Sequence, residues 1–518
     1  MVWRLSVSNS FDMKTLFTFY CISFSFFLTA QPYYGAKWVL GNDSGATPFY
    51  DGTLMDFLKL SSEKKPNTTL IKNCMDFASN MATINDSKGN LVAYTNGCFI
   101  ANKNFKAMKN GTQINAGYTY DGYCKGLDPS GYPSAQGTLF LPDPKDTTIY
   151  HLFHVLKKYN PTKPFPYFSG AILQTTLDKK LDNNAGAVTQ KDVVLLEDTL
   201  NNVGLSATKH GNGRDWWILM PQNNTNGFYK LLLTRNGVEP TTLQKIGPPR
   251  GTYGQSTFST NGQYYARAGS FSQLQVFNFD RCSSELSNER TSVFCNPNFT
   301  YFSGIAFSPN SRFLYVTTSD SLFQFDMDAP NLDKSKILID TFYSIKPPVQ
   351  IGFGMMRLGI NNKIYIAGFN QGVLHTIHAP DSLGKACRFK QSDIKLPSNM
   401  FSGLPNMPNY ALGALKGSPC DTLLSSNTEI TDNIPFLKLS PNPASSFISI
   451  QLSNNESIEV GSLKICDLLG KNIYEQKIDF QGNKSIEINT SNWKAGTYYC
   501  TYVLKDKILA REKLVIIR

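Results

Sequence analysis

The sequence predicts an all-β protein: a six- or seven-bladed β-propeller over residues 35–418, followed by a small immunoglobulin-like β-sandwich. Composition is the first observation behind this prediction, since 13% of the 518 residues are aromatic and only 17% are charged, which favours pleated sheet over disorder. The second is a hairpin pattern that recurs along the middle of the chain. The third is a polar segment after Cys420, beyond which a new series of short strands begins. A chain of this length also exceeds one ordinary core, so at least two domains are expected.

The N-terminal segment is typical of export. Residues Met13 to Pro32 read MKTLFTFYCISFSFFLTAQP, in which a lysine precedes an apolar stretch that ends at the small residue Ala30. An apolar stretch of about fifteen residues is too short for a spanning helix but suits a secretory signal peptide. We therefore predict a signal peptide over residues 1–30, cleaved between Ala30 and Gln31, with Met13 as an alternative start. No other segment predicts a membrane span.

The formal net charge of +11 at pH 7 comes from scattered Lys and Arg residues, without a run of five or more like charges. Such a distribution predicts a soluble basic surface rather than a nucleic-acid partner.

The ten cysteines are expected in an oxidising compartment, where disulfides form. No C-x-x-C spacing occurs, so the usual zinc and thioredoxin-like motifs are absent. One cysteine lies in the signal peptide, and the odd number that remains leaves at least one free thiol. Connectivity stays open, with these candidates: Cys282 with Cys295, Cys387 with Cys420, and one pair from among Cys74, Cys98 and Cys124.

The middle of the chain repeats one hairpin pattern. Residues Phe302 to Asp328 (FSGIAFSPNSRFLYVTTSDSLFQFDMD) give an apolar strand, an Asn-Ser turn, an alternating strand, a polar turn and a third strand. The same order occurs about fifty residues earlier, turning at Asn261-Gly262, and about fifty residues later, turning at Asn361-Asn362. Such turns favour hairpins because their residues readily adopt positive φ.

Three looser copies lie upstream, with turns at Lys88-Gly89-Asn90, Asp146-Thr147 and Asn212-Gly213. Each copy predicts one sheet, and a single sheet of this kind cannot bury both of its faces. Packed radially, the sheets would form a β-propeller. The segments left over, Lys37 to Leu58 and Gly403 to Leu415, are expected to pair in one blade and close the ring. A multi-sheet sandwich is the alternative, and it explains the register of the turns less well.

Several stretches of the middle region occur together in a known family. They are, in order, GNLVAYTNG, KHGNGRDWW, FNFDRCSSELSN, FSGIAFSPNSRFLYV and SGLPNMPNYALGAL followed by GSPCDTL. In these stretches most of residues 35–420 resembles the exported β-propeller proteins of Bacteroidetes, often built with gliding or adhesion modules. Such proteins generally have no assigned chemistry, so the resemblance implies an architecture rather than an activity.

The histidines offer little chemistry. There are five, and two H-x-x-H pairs, His151 with His154 and His375 with His378, lie in predicted strands, where residues three apart point to opposite faces. His210 precedes a turn that leads into Arg214 and Asp215, and an ion pair or side-chain cap is the expected role there.

No nucleophile elbow and no P-loop occurs, and we predict no catalytic residue, no metal site and no cofactor. Propeller lactonases and hydrolases gather carboxylates and amides around the central channel from several blades, so such a site would be dispersed in sequence. This is the alternative function. Carboxylates clustered at the channel mouth would favour an enzyme, whereas an empty or apolar-filled channel with exposed tyrosines on one face would favour binding.

The long loop from Ile114 to Gly137 is the candidate binding element. It contains four tyrosines, and tyrosine rings offer flat apolar faces with a polar tip, which suit sugars or protein partners. A loop held together by its own aromatic residues and Cys124 is the structural alternative. The candidate residues are Tyr118, Tyr120, Tyr123 and Tyr132.

The end of the chain forms a separate unit. Residues 419–433 predict a polar linker, and short alternating strands follow over residues 434–518. The elements SPNPASSFISI, KICDLLGK, KAGTYYCTYV and EKLVIIR occur here in order, and in them the segment resembles the type A C-terminal sorting domain of type IX secretion cargo. Cys466 and Cys500 depart from the usual apolar residues of that family and could either bridge or pack as small hydrophobes.

The resemblance implies an outer-membrane translocon as partner, cleavage of the domain outside the cell, and a secreted protein or one attached to the cell surface. We therefore expect a surface or secreted binding protein for an extracellular glycan or protein. A purely structural component of the cell surface is a further alternative.

Overall fold

A computed structural model of the protein describes residues 32–518, except for 43–49, 62–63, 126–130, 163–166, 251–253, 270–272, 294–303, 343–351, 422–436, 453–460, 468–469, 479–484 and 505–506. The predicted signal peptide and its cleavage site at Ala30 and Gln31 lie outside these residues. The protein is all-β, as predicted, and it divides into two compact units, residues 1–423 and 424–518.

The described part of the first unit forms seven antiparallel sheets, each built from consecutive strands. Sheets 1 to 3 contain these strands: sheet 1, β1 (Lys37–Leu40), β2 (Tyr50–Leu60) and β3 (Pro66–Asn73); sheet 2, β4 (Ala82–Asn85), β5 (Leu91–Thr95) and β6 (Ile100–Asn102); sheet 3, β7 (Thr138–Pro142), β8 (Ile149–Tyr159), β9 (Tyr167–Asp178) and β10 (Ala187–Leu200). Two short helices accompany sheet 3, α1 (Tyr118–Tyr123) before it and α2 (Leu181–Asn184) between its last two strands.

Sheets 4 to 7 continue the same order along the chain. Their strands are these: sheet 4, β11 (Ser206–Lys209), β12 (Trp216–Pro221), β13 (Thr225–Thr234), β14 (Gly237–Val238) and β15 (Thr242–Arg250); sheet 5, β16 (Ser256–Phe258), β17 (Tyr264–Ala268), β18 (Gln273–Phe279) and β19 (Leu286–Val293); sheet 6, β20 (Ile305–Phe307), β21 (Phe313–Thr317), β22 (Ser321–Asp326) and β23 (Ile337–Thr341); sheet 7, β24 (Phe353–Leu358), β25 (Ile364–Gly368), β26 (Gln371–Ile377) and β27 (Phe389–Met400). Short 3-10 turns occur at Asp333–Ser335 and Gly384–Cys387.

In five of the seven described sheets of the first unit, the first two strands are joined by the same type of turn, as the sequence predicts. In sheet 5 the Gly262 N–H donates to the Ser259 carbonyl at 2.9 Å, and in sheet 6 the Ser311 N–H donates to the Ser308 carbonyl at 2.9 Å. In each turn the residue that donates has a positive φ, which the small or amide residues at these positions tolerate. The five donors are Gly89, Gly213, Gly262, Ser311 and Asn362.

Each sheet contacts the next, and sheet 7 contacts sheet 1 through β27, β2 and β3. The hydroxyl oxygens of Thr53 on β2 and Ser398 on β27 lie 2.7 Å apart. Trp38 on β1 packs edge-on against Tyr365 on β25, with ring centroids 5.7 Å apart. Because the largest apolar cluster contains residues of both sheets, burial of apolar surface holds the first and last sheets together.

Residues 401–421, here called the strap, form neither strand nor helix and cross five of the sheets. At its start the Met355 N–H of sheet 7 donates to the Ser402 carbonyl at 2.9 Å. The Asn406 side-chain amide then donates to the carbonyls of Thr138 at 3.0 Å and Leu205 at 2.8 Å, in sheets 3 and 4. The prediction that Gly403 to Leu415 pairs with Lys37 to Leu58 in one blade is wrong, because the first segment is not a strand and the second belongs to a sheet of its own.

The disulfides differ from the predicted pairs. Cys282 bonds to Cys420 at the end of the strap, so the pairings of Cys282 with Cys295 and of Cys387 with Cys420 are both wrong. Cys295 lies outside the described residues, and Cys387 is a buried free thiol. Within the group of Cys74, Cys98 and Cys124, the structure joins Cys98 to Cys124 and leaves Cys74 free.

The second unit contains two antiparallel sheets around one apolar core. The strands of the first are β28 (Leu437–Ser440), β29 (Phe447–Leu452) and β32 (Ser485–Asn489), and those of the second are β31 (Asn472–Ile478), β30 (Gly461–Asp467), β33 (Gly496–Leu504) and β34 (Lys507–Ile516). Cys500 lies opposite Ile465 and Cys466 opposite Tyr499, so the two thiols point to different faces of the sheet and remain free.

None of the helices that the structure describes has the length and apolar character needed to cross a membrane.

Candidate functional site: an exposed tyrosine patch

The four tyrosines predicted for binding separate into two pairs. Tyr118 and Tyr123, the first and last residues of α1, are 58% and 41% exposed. Tyr120 and Tyr132 are buried and pack with Cys98 in a small cluster beside the main core. The first pair is therefore available for contact, whereas the second pair shapes the loop that presents it.

The loop is fixed to sheet 3 at one backbone position. The Thr119 hydroxyl donates to the Lys157 carbonyl at 3.0 Å, and the Lys157 N–H donates to the Tyr132 hydroxyl at 2.8 Å. The disulfide between Cys98 and Cys124 ties the end of α1 to the segment that precedes β6. These contacts hold a short helix that would not be stable alone.

Two tyrosines outside the predicted loop complete an exposed patch. Tyr159 ends β8 and Tyr167 begins β9, and the two residues face each other across the antiparallel pair. The Tyr118 ring stacks on the Tyr159 ring with centroids 4.1 Å apart and an interplanar angle of 17°. Tyr123 meets Tyr167 edge-on at 6.1 Å, and Tyr159 lies 5.1 Å from Tyr167. Tyr118, Tyr123, Tyr159 and Tyr167 are called the tyrosine patch.

The patch combines aromatic ring faces with hydroxyl groups, two of which have a raised pKa. The neighbouring Tyr118 raises the pKa of Tyr159, and partial burial raises the pKa of Tyr167. Both phenols are thus hydrogen-bond donors at neutral pH as well as acceptors. Asp121 on α1 and Lys125 just beyond its end form an ion pair of 2.6 Å, so one charge of each sign lies on the loop that carries Tyr118 and Tyr123. Such a surface can stack on a flat apolar face and hydrogen-bond to its polar edge.

The histidines are engaged within the fold. His154 is buried between the Asn115 and Thr175 side chains, at 2.7 and 3.0 Å, and burial lowers its pKa to about 3. His375 receives the Ser392 N–H at 3.0 Å on Nδ1, and its Nε2 lies 3.1 Å from the Gly352 carbonyl. His151 lies 2.8 Å from an Asp143 carboxylate oxygen.

His378 lies 3.0 Å from an Asp393 carboxylate oxygen. His210 is within hydrogen-bond distance of the Cys282 carbonyl at 3.2 Å and accepts the Asn212 N–H at 3.0 Å. The described part of the chain contains no group of three or more His, Cys, Asp or Glu side chains placed to bind one metal ion.

The turn between β11 and β12 holds the ion pair that the sequence predicts. The Arg214 guanidinium donates to both Asp215 carboxylate oxygens, Nε at 2.7 Å and Nη2 at 2.9 Å. Although burial opposes ionisation, hydrogen bonds from Arg214 and Asn212 hold the Asp215 pKa below its usual range. Lys209 lies 3.9 Å from the centre of the Trp216 ring, and burial lowers its pKa to about 7. All these groups are used in fixing the turn.

A cavity of about 480 Å³ lies between the strap and the first strands of sheets 5 to 7. Its described lining residues include amides and hydroxyls such as Asn261, Asn362 and Ser256, and Arg357 is the only charged residue among them. The carboxylates that a dispersed hydrolytic site would need do not occur among these lining residues.

Several solved structures resemble the chain weakly. A protein of unknown function from Desulfotomaculum acetoxidans DSM 771 is 11% identical, with 72% of this chain and 99% of that chain covered and a TM-score of 0.36. The Cps50 (Swd1) beta-propeller domain of Myceliophteria thermophila is 9% identical, with 64% and 94% covered and a TM-score of 0.36. Citrobacter koseri AztD is 11% identical, with 71% and 96% covered and a TM-score of 0.34. These scores are too low to support a conclusion about fold or function.

No curated protein sequence matches the chain. Residues 438–517, by contrast, match the family model of the secretion system C-terminal sorting domain. These residues are therefore a type IX sorting domain, which indicates export of the protein to the cell surface or the extracellular space.

Proposed function

We propose that the protein is a secreted or surface-displayed binding protein that contacts an extracellular glycan through the tyrosine patch. The sheets of the first unit would be the blades of a seven-bladed β-propeller, and the second unit would be an immunoglobulin-like sandwich that acts as a type A sorting signal in a bacterium of the Bacteroidetes. The single observation that carries the binding role is the group of exposed rings of Tyr118, Tyr123 and Tyr159, packed on the half-buried Tyr167.

The order of the sheets supports the propeller. Seven consecutive antiparallel sheets contact one another in chain order, and the last contacts the first, as radial packing requires. The strap strengthens this assignment, because a segment that reaches five of the sheets must cross a place where their first strands converge.

A glycan fits the patch better than a flat protein surface does. A sugar ring has an apolar face and a polar edge, which match the ring faces and hydroxyl groups of the tyrosines. The patch is also small, with four aromatic side chains, whereas stable protein interfaces bury about 800 Å² on each partner. Export to the cell surface or beyond would place the patch where polysaccharides are abundant.

The alternative of a channel hydrolase has less support. The described lining of the cavity includes no aspartate, glutamate or histidine, and general acid-base chemistry usually needs such a group within hydrogen-bond reach of the substrate. Nothing in the described residues favours a catalytic role over binding.

A glycan-array screen with the full chain tests the proposal. We expect binding to at least one polysaccharide class, and we expect Tyr118→Ala and Tyr123→Ala each to weaken it by about tenfold, since truncating an aromatic residue that anchors a contact surface costs more than about 1 kcal/mol. Failure to bind any polysaccharide would reject the glycan version of the proposal.

Phe447→Ala provides a control, because Phe447 is an aromatic residue of similar exposure to Tyr123, at 47% against 41%, and lies in the second unit. The control variant should bind the same polysaccharide as the unmodified protein does. Equal losses in Phe447→Ala and Tyr123→Ala would show that the patch is not the contact surface.

A further inference from the structure

The cavity beneath the strap has the size of a small-molecule site and is partly open to solvent. Its volume of about 480 Å³ falls within the range of about 300 to 1,000 Å³ typical of ligand pockets. One side is formed by the strap residues Asn406 to Gly413, and the other by the first strands of sheets 5, 6 and 7. Asn310, Asn362 and Ile360 are exposed at its edge, so a solute can enter from solvent.

The floor of the cavity is held by amide side chains that bridge sheets. The Gln136 amide donates to the Ser256 carbonyl at 2.6 Å, and its oxygen accepts the Ser256 N–H at 2.9 Å. The Gln255 amide donates to the Met356 carbonyl at 2.8 Å, and its oxygen accepts the N–H of Ile305 at 3.0 Å. These bonds connect sheet 3 to sheet 5 and sheet 5 to sheets 6 and 7, so the cavity has a fixed shape.

Arg357 gives this cavity a net positive charge. Its Nη1 donates to the Met407 carbonyl at 2.5 Å and its Nη2 to the Asn406 side-chain oxygen at 3.2 Å. Burial lowers the pKa of Arg357 to about 10, so the guanidinium is still charged at neutral pH. Among the described residues no carboxylate forms an ion pair with it, and its Nε has no hydrogen-bond partner.

A partly buried cation without a counter-ion is costly. Each Nη nitrogen carries two N–H groups, so each has a second donor beyond the bond that it makes to the strap. Two N–H groups on one planar guanidinium match the two oxygens of a carboxylate.

From this arrangement we propose that the cavity binds a small sugar acid, whose carboxylate would lie against Arg357 and whose hydroxyl groups would contact the amides and hydroxyls of the wall. The wall supports a sugar rather than a fatty acid, because it contains amide and hydroxyl side chains as well as apolar ones: Ser256, Thr257, Asn362, Phe258, Ile305 and Phe307. This site is separate from the tyrosine patch, so the proposal does not depend on glycan binding at the patch.

Titration calorimetry with the full chain tests this site. D-glucuronate and D-galacturonate should bind saturably at concentrations up to about 10 mM, whereas D-glucose and D-galactose, which lack the carboxylate, should bind at least about tenfold more weakly. If neither uronate binds, or if the neutral sugars bind equally well, the proposal is wrong. Binding of N-acetyl-dialanine in the absence of uronate binding would also overturn it, since the carboxylate would then be that of a peptide.

Two variants locate the binding event. Arg357→Gln should reduce uronate affinity by about tenfold or more, but it also removes the hydrogen bonds to the strap and could weaken the fold. Asn362→Asp avoids that difficulty: Asn362 is exposed at the edge of the cavity and has a φ of 60°, which aspartate also tolerates. A negative charge there should lower uronate affinity by about threefold to tenfold.

Asn104→Asp is the control for the change in net charge, because Asn104 is exposed and is not part of the described cavity lining. Unchanged affinity in Asn104→Asp together with reduced affinity in Asn362→Asp supports the cavity. If Asn362→Asp and Asn104→Asp bind uronate with the same affinity, uronate binds outside the cavity. Tyr118→Ala should leave uronate affinity unchanged, and a loss in that variant would assign the binding to the tyrosine patch instead.

Discussion

Cys282, in the turn after β18, is joined by a disulfide to Cys420, 138 residues further along the chain, with the two Cα atoms 5.5 Å apart. Cys420 is close to the end of the strap, so this bond fixes the last crossing segment to sheet 5. The strap is thereby anchored by hydrogen bonds along its length and by a covalent bond at its end.

Removal of this disulfide should destabilise the protein more than removal of the other one. A cross-link stabilises mainly by restricting the unfolded chain, and the effect grows with loop length. With sequence separations of 138 and 26, the double variant Cys282→Ser/Cys420→Ser should lose about 1.5 kcal/mol more than Cys98→Ser/Cys124→Ser. Urea unfolding of both variants measures the difference, and a larger loss in the second would contradict the expectation.

Gly213→Ala should destabilise the first unit through its contact with the strap. Gly213 has a φ of +76°, and an added Cβ would lie 2.4 Å from the backbone nitrogen of Ala414. We expect a loss of about 2 kcal/mol or more, because strain at positive φ adds to a backbone clash.

Gly417→Ala is a matched control for that variant. Gly417 also has a φ of +76°, but no atom lies within 4 Å of an added Cβ. Thermal melts should therefore show a smaller loss, which reports the backbone strain alone. Identical losses would mean that the approach of the strap to Gly213 does not limit the substitution.

The buried His375 should make stability depend on pH. Its Nδ1 accepts the Ser392 N–H, and three phenylalanine rings surround it: Phe342, Phe353 and Phe389. Burial lowers the pKa of His375 to about 4 from the ordinary value of about 6.5, although the bond to the Gly352 carbonyl opposes this. Between pH values of about 4 and 6.5, His375 therefore binds a proton in the unfolded chain but not in the folded chain.

Folding stability should therefore be lost as the pH falls from about 6.5 to about 4, by about 3 kcal/mol for this group. The free energy of unfolding, measured across this interval for the unmodified protein and for His375→Gln, isolates the contribution. The unmodified protein should lose more stability on acidification than the variant does. Parallel curves would show that His375 binds its proton equally well in the folded and unfolded states.

The two kinds of tyrosine in the α1 loop should respond differently to loss of the hydroxyl group. Tyr132→Phe leaves the half-buried Lys157 N–H without its partner at 2.8 Å and should cost about 1 to 2 kcal/mol of unfolding free energy. Tyr118→Phe removes a hydroxyl that, among the described residues, bonds only to neighbouring patch tyrosines, on a ring that is 58% exposed, so its loss should stay below about 0.5 kcal/mol. If Tyr118→Phe loses as much stability as Tyr132→Phe, Tyr118 supports the loop as Tyr132 does and is not a residue left free for contact.

Deletion of residues 434–518 should prevent surface delivery, because the matched sorting domain covers residues 438–517. Cell fractionation should then find the truncated protein in the periplasm and the intact chain at the cell surface or in the medium. Normal surface delivery of the truncated protein would refute the assignment of the export route.

The sequence predicts the local features of this fold better than its long-range ones. The turn at Asn261-Gly262 is predictable because its chemistry depends on adjacent residues, and the same holds for Asn212-Gly213. The strap is not predictable in this way, because Asn406 is held by Thr138 and Leu205, residues far away in the sequence, and no periodic pattern marks it.

The tyrosine patch shows the same limit. Tyr118 and Tyr123 belong to a conspicuous loop, but their ring partners Tyr159 and Tyr167 come from the two ends of a hairpin in sheet 3. The available signal was the pair Tyr159 and Tyr167, which flank the proline-rich stretch NPTKPFP. The sequence could not separate exposed from buried tyrosines, since that depends on Lys157, a strand residue that fixes the loop.

The anchoring of the strap also determines how the protein would bear mechanical load. If the chain beyond Asp421 is held at the cell surface while a ligand pulls on the first unit, tension that enters this unit at Asp421 passes from Cys420 directly into Cys282 of sheet 5. Residues 401–419 then lie outside the line of force, and their hydrogen bonds to sheets 2, 3, 4 and 7 carry none of it. A protein tethered in a flowing medium would thus keep its sheets assembled under forces that would peel away a strap held by hydrogen bonds alone.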